Sequence, residues 1–284
     1  MVRLAPHTEL AIGVILPDTD VIRSLAVTNI STADSTRNDK DRFMNSVLVW
    51  DLPTRLFHWL LSAGFIAAAM ISLGLGEHSP LFPYHAIIGL SIALMVVLRI
   101  VWGFVGTRYA RFGSFMFGPG AVVEYMKGTL FGGGKRHIGH NPGSAAAIFA
   151  LLALVLALAV TGFMMGRGNE AIKEVHEFLA WAAVAVVIVH VLGVAFHTIR
   201  HRENITAGMI HGKKHAEPSD AITSGRPIVA LLFLIIAGGW AYVLVRNYNP
   251  TTQSTTLPFL GTSLQLGERE DGGGEKRKKH DDDD

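Results

Sequence analysis

Residues His176–His201 read HEFLAWAAVAVVIVHVLGVAFHTIRH, and this stretch decides the fold. From Phe178 to Ile199 it contains no Asp, Glu, Lys or Arg. A helix of roughly 20 apolar residues crosses a hydrocarbon core of about 30 Å, so the stretch reads as a membrane span. Yet it also carries His176, His190 and His197. Ionisable rings at membrane depth are costly and mark functional positions. His176 and His190 are 14 residues apart. At about 100° per residue this spacing stops roughly 40° short of four whole turns, so both rings leave one helix face, about 21 Å apart along the axis. One face of one span offers an imidazole to each leaflet.

Outward from this span, four more stretches qualify: Leu56–Leu75, Leu81–Val105, Ser144–Gly166 and Pro227–Val245. The only charged residue in them is Arg99. They are rich in Leu, Val, Ala, Ile and Gly with no alternation of period two, which favours helices over a barrel. The 284-residue chain is 50% hydrophobic and only 17% charged, with mean hydropathy +0.35. Soluble domains carry about a quarter charged residues, so disorder, coiled coil and cytosolic enzyme are excluded. The absence of Cys excludes disulfides, thiolate metal sites, a cysteine nucleophile and covalent c-type haem attachment. A net charge of +2 gives no argument for nucleic acid. The fold class is therefore an all-α integral membrane protein, solvated by the lipid bilayer.

Lys and Arg in short loops set orientation. Arg37, Lys40, Arg42 and Arg55 precede the first span, and five Lys or Arg lie between the second and third, from Arg108 to Arg136. Five more lie between the fourth and fifth, from Arg200 to Arg226. The alternate loops hold only Arg167 and Lys173. The amino end is expected in the cytoplasm and the carboxyl end outside; the basic run in the tail lies too far from the last span to oppose this. Residues 1–45 read as a polar extension, disordered or upstream of a true start at Met44, with no signal peptide. Residues 46–215 form the main domain, 216–246 a linker and the fifth span, and 247–284 a disordered tail.

Of the 13 histidines, His137, His140, His201, His211 and His215 read as interface anchors in basic segments, as does His78 in an outer loop. His7 and His280 fall in the ends expected to be disordered. His58, His85, His176, His190 and His197 remain, in or at the edge of spans. His85 completes an outer pair with His176, and His58 an inner pair with His190. Two bis-imidazole sites stacked in a helical bundle are what two low-spin b-type haems require. His197 is the alternative to His190: its depth matches His58 better, but it would separate the two irons by about 32 Å. Arg99 reads equally as a snorkelling anchor beside Trp102 or as a partner for a haem propionate or quinone oxygen.

Five strings now carry a resemblance: VWDLPTRLFHWLLS at Val49–Ser62, RIVWGFVGTRYARFGSFM at Arg99–Met116, GHNPGSA at Gly139–Ala145, HEFLAW at His176–Trp181 and HRENITAGMIHGKK at His201–Lys214. In this order they resemble the bacterial cytochrome b-561 and nickel-hydrogenase b-type cytochrome family, over roughly residues 46–215. The resemblance implies a four-helix transmembrane bundle binding two haems b in the bacterial inner membrane; the fifth helix and the tail lie outside that core, and the resemblance says nothing about them. It implies His58, His85, His176 and His190 as axial ligands, with His197 not a ligand. It also implies electron exchange between membrane quinone or quinol and a partner redox protein. The GHNP and HREN strings incline the reading to a stand-alone cytochrome paired with a c-type cytochrome; the alternative is the membrane anchor of a nickel-iron hydrogenase. A homodimer stays open.

Other functions fit less well. An intramembrane zinc protease needs H-E-x-x-H, and after His176-Glu177 the second His is replaced by Ala180. A transporter or proton channel would show repeats, broken helices or mid-membrane carboxylates, and the spans have none. There is no G-x-G-x-x-G fingerprint for a nicotinamide or flavin.

Overall fold

The structure is a computed structural model, and it describes residues 45–132, 137–258 and 261–267. The expectations for residues 1–44, including the start at Met44, and for 268–284 lie outside the described residues. In chain order the elements are β1 (Asn45–Leu48), α1 (Leu52–Ala69), a π-helical turn (Met70–Leu75), α2 (Phe82–Val105), α3 (Pro119–Phe131), α4 (Pro142–Gly166), α5 (Lys173–His201), α6 (Ile205–His211), β2 (Lys213–Ala216), α7 (Pro227–Arg246), β3 (Tyr248–Asn249), β4 (Ser254–Thr256) and β5 (Ser263–Gln265). Among the described residues, five helices are long and apolar enough to cross a membrane: α1 with its π turn, α2, α4, α5 and α7. Phe104, Phe178 and Ile199 stand at least 70% exposed on these helices, which suits acyl chains and not water.

Three of the helices, α1, α4 and α6, begin where a side chain accepts from their orphan amides. The Asp51 carboxylate accepts from the Thr54 amide at 2.8 Å, the Asn141 side chain from the Ser144 amide at 2.8 Å, and the Asn204 side chain from the Ala207 amide at 2.9 Å. Pro53, Pro83, Pro142 and Pro227 sit in the first turns, where a missing N–H costs nothing. Gly212, at φ 82°, ends α6 in the left-handed conformation that a Cβ disfavours. Three of the five quoted strings are thus built around helix caps.

The spans form two hairpins, α1–α2 and α4–α5. Their connecting turns lie at one end, called distal here; the proximal end holds β1, α3, α6 and β2. α2 is the most enclosed span, packing against α1, α4 and α7. α5 lies along α4 and makes no comparable packing with α1 or α2. The hairpins meet in a core of Ile92, Val96, Phe112, Phe115, Leu152 and Val155. At the proximal end β1 pairs with β2, and Val49, Trp50, Tyr109, Ala216 and Ile222 close a second core.

The region beyond Asn247 departs from the disordered tail expected of it. β3, β4 and β5 form an antiparallel sheet over residues 248–265, whose Leu257, Leu264 and Leu266 close on Ile87 and Leu244. Leu264 and Leu266 alternate with polar neighbours, which places both on the face turned to the helices. Nor is α7 peripheral: Leu244 is fully buried, and the Trp240 indole N–H donates to the Leu90 carbonyl at 3.3 Å.

Asp51 ties the proximal end together. Besides capping α1, its carboxylate accepts from the Trp102 indole at 3.1 Å and the Thr107 hydroxyl at 2.5 Å, with 1% of the residue exposed. Replacing Asp51 with Ala leaves two buried donors and one half-buried donor unmatched. The expected loss is about 3 kcal/mol of stability, read as a lowered Tm of the purified protein in detergent; an unchanged Tm would contradict this role.

Candidate functional site

At the distal end the structure brings His85 of α2 and His176 of α5 together, with ring centroids 6.4 Å apart. Each ring is held through Nδ1. His85 Nδ1 lies 2.9 Å from the Ala68 carbonyl, which can only accept, so this nitrogen carries the proton. His176 Nδ1 lies 2.8 Å from the Thr161 hydroxyl. That hydroxyl already donates to the Ala157 carbonyl at 2.9 Å, so it accepts from His176. In both rings the remaining nitrogen, Nε2, keeps its lone pair. Two imidazoles on opposite sides of one metal ion, at bonds of about 2 Å with each ring centre about 1 Å behind its nitrogen, hold their centres about 6 Å apart. The pair has that spacing, and its Nδ1 partners are the kind that fix the tautomer of a ligating histidine.

Local sequence explains the placement. Ala68 lies just before the π turn, a widening of the helix that recurs at functional sites. Gly162 faces the same ring: a Cβ there would lie 3.5 Å from His176 Cε1, in ordinary van der Waals contact. Glu77 and Lys173 pair at 2.7 Å across the distal turns, an exposed contact worth little by itself.

Nearer the proximal end, His58 of α1 and His190 of α5 lie within electrostatic reach of each other. His58 Nδ1 is sealed from solvent with no hydrogen-bond partner. His197, the alternative to His190, turns to another element: its Nδ1 lies 3.3 Å from the Tyr125 hydroxyl of α3.

Arg99 is 3% exposed, so it does not snorkel to an interface. Its guanidinium lies over the rings of Phe112 and Phe57, 5.2 and 6.0 Å from their centroids, and its Nη1 has no partner. Asp51 is the carboxylate nearby, but its oxygens already serve Thr54, Trp102 and Thr107.

His140 corrects the sequence reading. Expected as an interface anchor, it is instead tucked between Trp50 and Phe115, at centroid distances of 4.6 and 4.3 Å, with Nδ1 sealed and unpartnered. Arg99, His58 and His190 all lie within its electrostatic reach. Burial first, then the nearby cations Arg99 and Lys214, hold the ring well below the usual histidine range, and so neutral. Its folded value is depressed below the unfolded 6.5. Its contribution to stability is therefore complete above about pH 6.5 and is withdrawn as acid charges the unfolded chain first. No spacing rule could have found it, because a loop brings it in; the Trp50 and Phe115 strings that enclose it were the only signal.

The fold and the site together define an integral membrane protein whose spans carry paired imidazoles. Comparison with known proteins gives the particular family. The family model described as prokaryotic cytochrome b561 matches residues 49–212. Among curated relatives, a Rhodobacter capsulatus protein named "Probable Ni/Fe-hydrogenase B-type cytochrome subunit" is 25% identical over 231 residues, covering 64% of this chain and 87% of the relative. One of the same name from Rhizobium leguminosarum bv. viciae is 24% identical over 214 residues, covering 60% and 89%. A third, "Probable Ni/Fe-hydrogenase 1 B-type cytochrome subunit" from Escherichia coli K12, is 24% identical over 211 residues, covering 58% and 88%. No solved structure matches the chain. The chain belongs to the prokaryotic cytochrome b561 family, a family of helical membrane proteins that bind haem b and transfer electrons.

Proposed function

We propose that this chain conducts electrons across the membrane through two b-type haems, between a hydrogenase-type partner and the quinone pool. The observation that carries the reading is the distal pair, with ring centroids 6.4 Å apart and both Nδ1 atoms engaged. His85 and His176 would hold one haem, and His58 and His190 the other. Haem b, when bound, supplies reversible one-electron exchange.

The chain's own residues do the rest. Thr161 and the Ala68 carbonyl orient the distal rings. Arg99 is a buried cation whose Nη1 has no partner while the neighbouring Asp51 carboxylate already accepts from three donors, and a buried unpaired charge is strongly unfavourable. Arg99 therefore suits a haem propionate, with His140 offering a second polar contact beside it. Lys and Arg concentrate at the proximal end, which supports a cytoplasmic amino end in the bacterial inner membrane.

The names of the relatives favour a hydrogenase partner over the c-type cytochrome first expected. Membranes holding the protein beside the hydrogenase of the same cell are the test. Hydrogen gas is expected to reduce the b-type haem spectrum, and deletion of this chain to abolish hydrogen-dependent quinone reduction. Haems that ignore hydrogen but pass electrons from quinol to a soluble c-type cytochrome would establish the other pairing.

A further inference from the structure

We propose that α7 and the β3–β4–β5 sheet clamp the two helical hairpins together at the distal end and so set the spacing of the His85–His176 pair; this rests on the haem reading above. Residues 213–267 lie beyond the 49–212 that match the family, so the family supplies no role for this module.

The need for a clamp follows from the topology. His85 belongs to the α1–α2 hairpin and His176 to the α4–α5 hairpin. The chain joins these hairpins through residues 106–141, at the proximal end. At the distal end, where the two rings face each other, no covalent link holds the hairpins in register. The exposed Glu77–Lys173 pair is too weak to do so.

The sheet touches both hairpins at that end. On the first, Leu257, Leu264 and Leu266 pack on Ile87, two residues beyond His85. Tyr248 lies 6.0 Å from Tyr84, and a Cβ on Gly267 would lie 3.5 Å from Pro83. On the second, β5 rests on the last residue of α4: a Cβ on Gly166 would lie 3.1 Å from the Gln265 carbonyl and 3.5 Å from Leu264. Gly166 is five residues, or about 7.5 Å of helix, beyond Thr161, which holds His176. One short strand thus spans from the helix start that carries His85 to the helix end that orients His176. α7 anchors it through Leu244, and Thr255 donates its hydroxyl to the Leu244 carbonyl at 2.9 Å. Apolar closure of this kind resists splaying because opening it would expose Leu257, Leu264 and Leu266.

The test uses the full chain in two variants that touch neither ring. Gly166→Leu drives a side chain into the Gln265 carbonyl, and Leu264→Asp places a carboxylate in the small core; Gly166→Ala is the milder control. Proteinase K cleavage within 248–267 reports release of the strand. Transfer of haem to excess apomyoglobin reports grip on each site, the two sites being told apart by their low-spin resonance signals and by His85→Ala and His58→Ala references. Loosening the support of a ligating histidine costs ten- to a hundred-fold in affinity. Release of the strand is therefore expected to speed haem loss from the distal site about tenfold, with the proximal site unchanged. A released strand with unaltered distal haem would overturn the proposal, and so would equal loosening of both sites. If His85→Ala itself removes no haem, the ligand assignment fails instead, which is a separate outcome.

Discussion

His176→Ala is expected to strip the distal haem and leave the proximal one in place. The ring sits at a separation from His85 that suits a shared iron. His85→Ala should give the same spectrum, since a low-spin site needs both imidazoles. Thr161→Val provides the graded version. It keeps the ligand but removes the acceptor that fixes its tautomer, so haem affinity should fall ten- to a hundred-fold while the low-spin signature persists in protein that is still loaded. Haem content and resonance spectra of the three variants, measured side by side, check this. Full haem retention in His176→Ala would remove the distal site from the account.

The second large effect separates His190 from His197. Both lie on α5 seven residues apart, nearly on one face, and spacing alone left them as rivals. His190 lies within electrostatic reach of His58, whereas His197 meets the Tyr125 hydroxyl. His58→Ala and His190→Ala should each lose the proximal haem. His197→Ala should keep both haems and lose about 1 kcal/mol of stability with its hydrogen bond. Loss of the proximal haem in His197→Ala, with His190 dispensable, would show that depth in the membrane is the better guide to the ligand.

The membrane imposes the features that the sequence makes legible. A bilayer tolerates only closed backbone hydrogen bonding and apolar side chains, so all five spans stand out as uninterrupted apolar runs within a few residues of their observed ends. The same penalty makes His58, His85, His176 and His190 conspicuous, and helical periodicity puts two of them on one face. What the sequence hides depends on tertiary contacts with no period. Thr161 looks like an ordinary hydroxyl bonded back to its own helix, which it is, and only the fold shows that it also meets His176. Arg99 is ambiguous in sequence because composition cannot show that the nearby Asp51 carboxylate already accepts from three donors. His140 sits in a loop, where a sequence gives no depth. The tail sheet was missed because strands of two or three residues carry too few alternations to register, and Gly and charged residues beyond them mimic disorder.

The central claim is two bis-histidine haems b in one chain. Pyridine haemochrome analysis of the purified, fully loaded protein, read against its protein content, tests it most directly. The account requires close to two haems b per polypeptide, with two low-spin signals that disappear one at a time in His176→Ala and His190→Ala. A ratio near one, with a single low-spin signal lost in either variant alone, would contradict it.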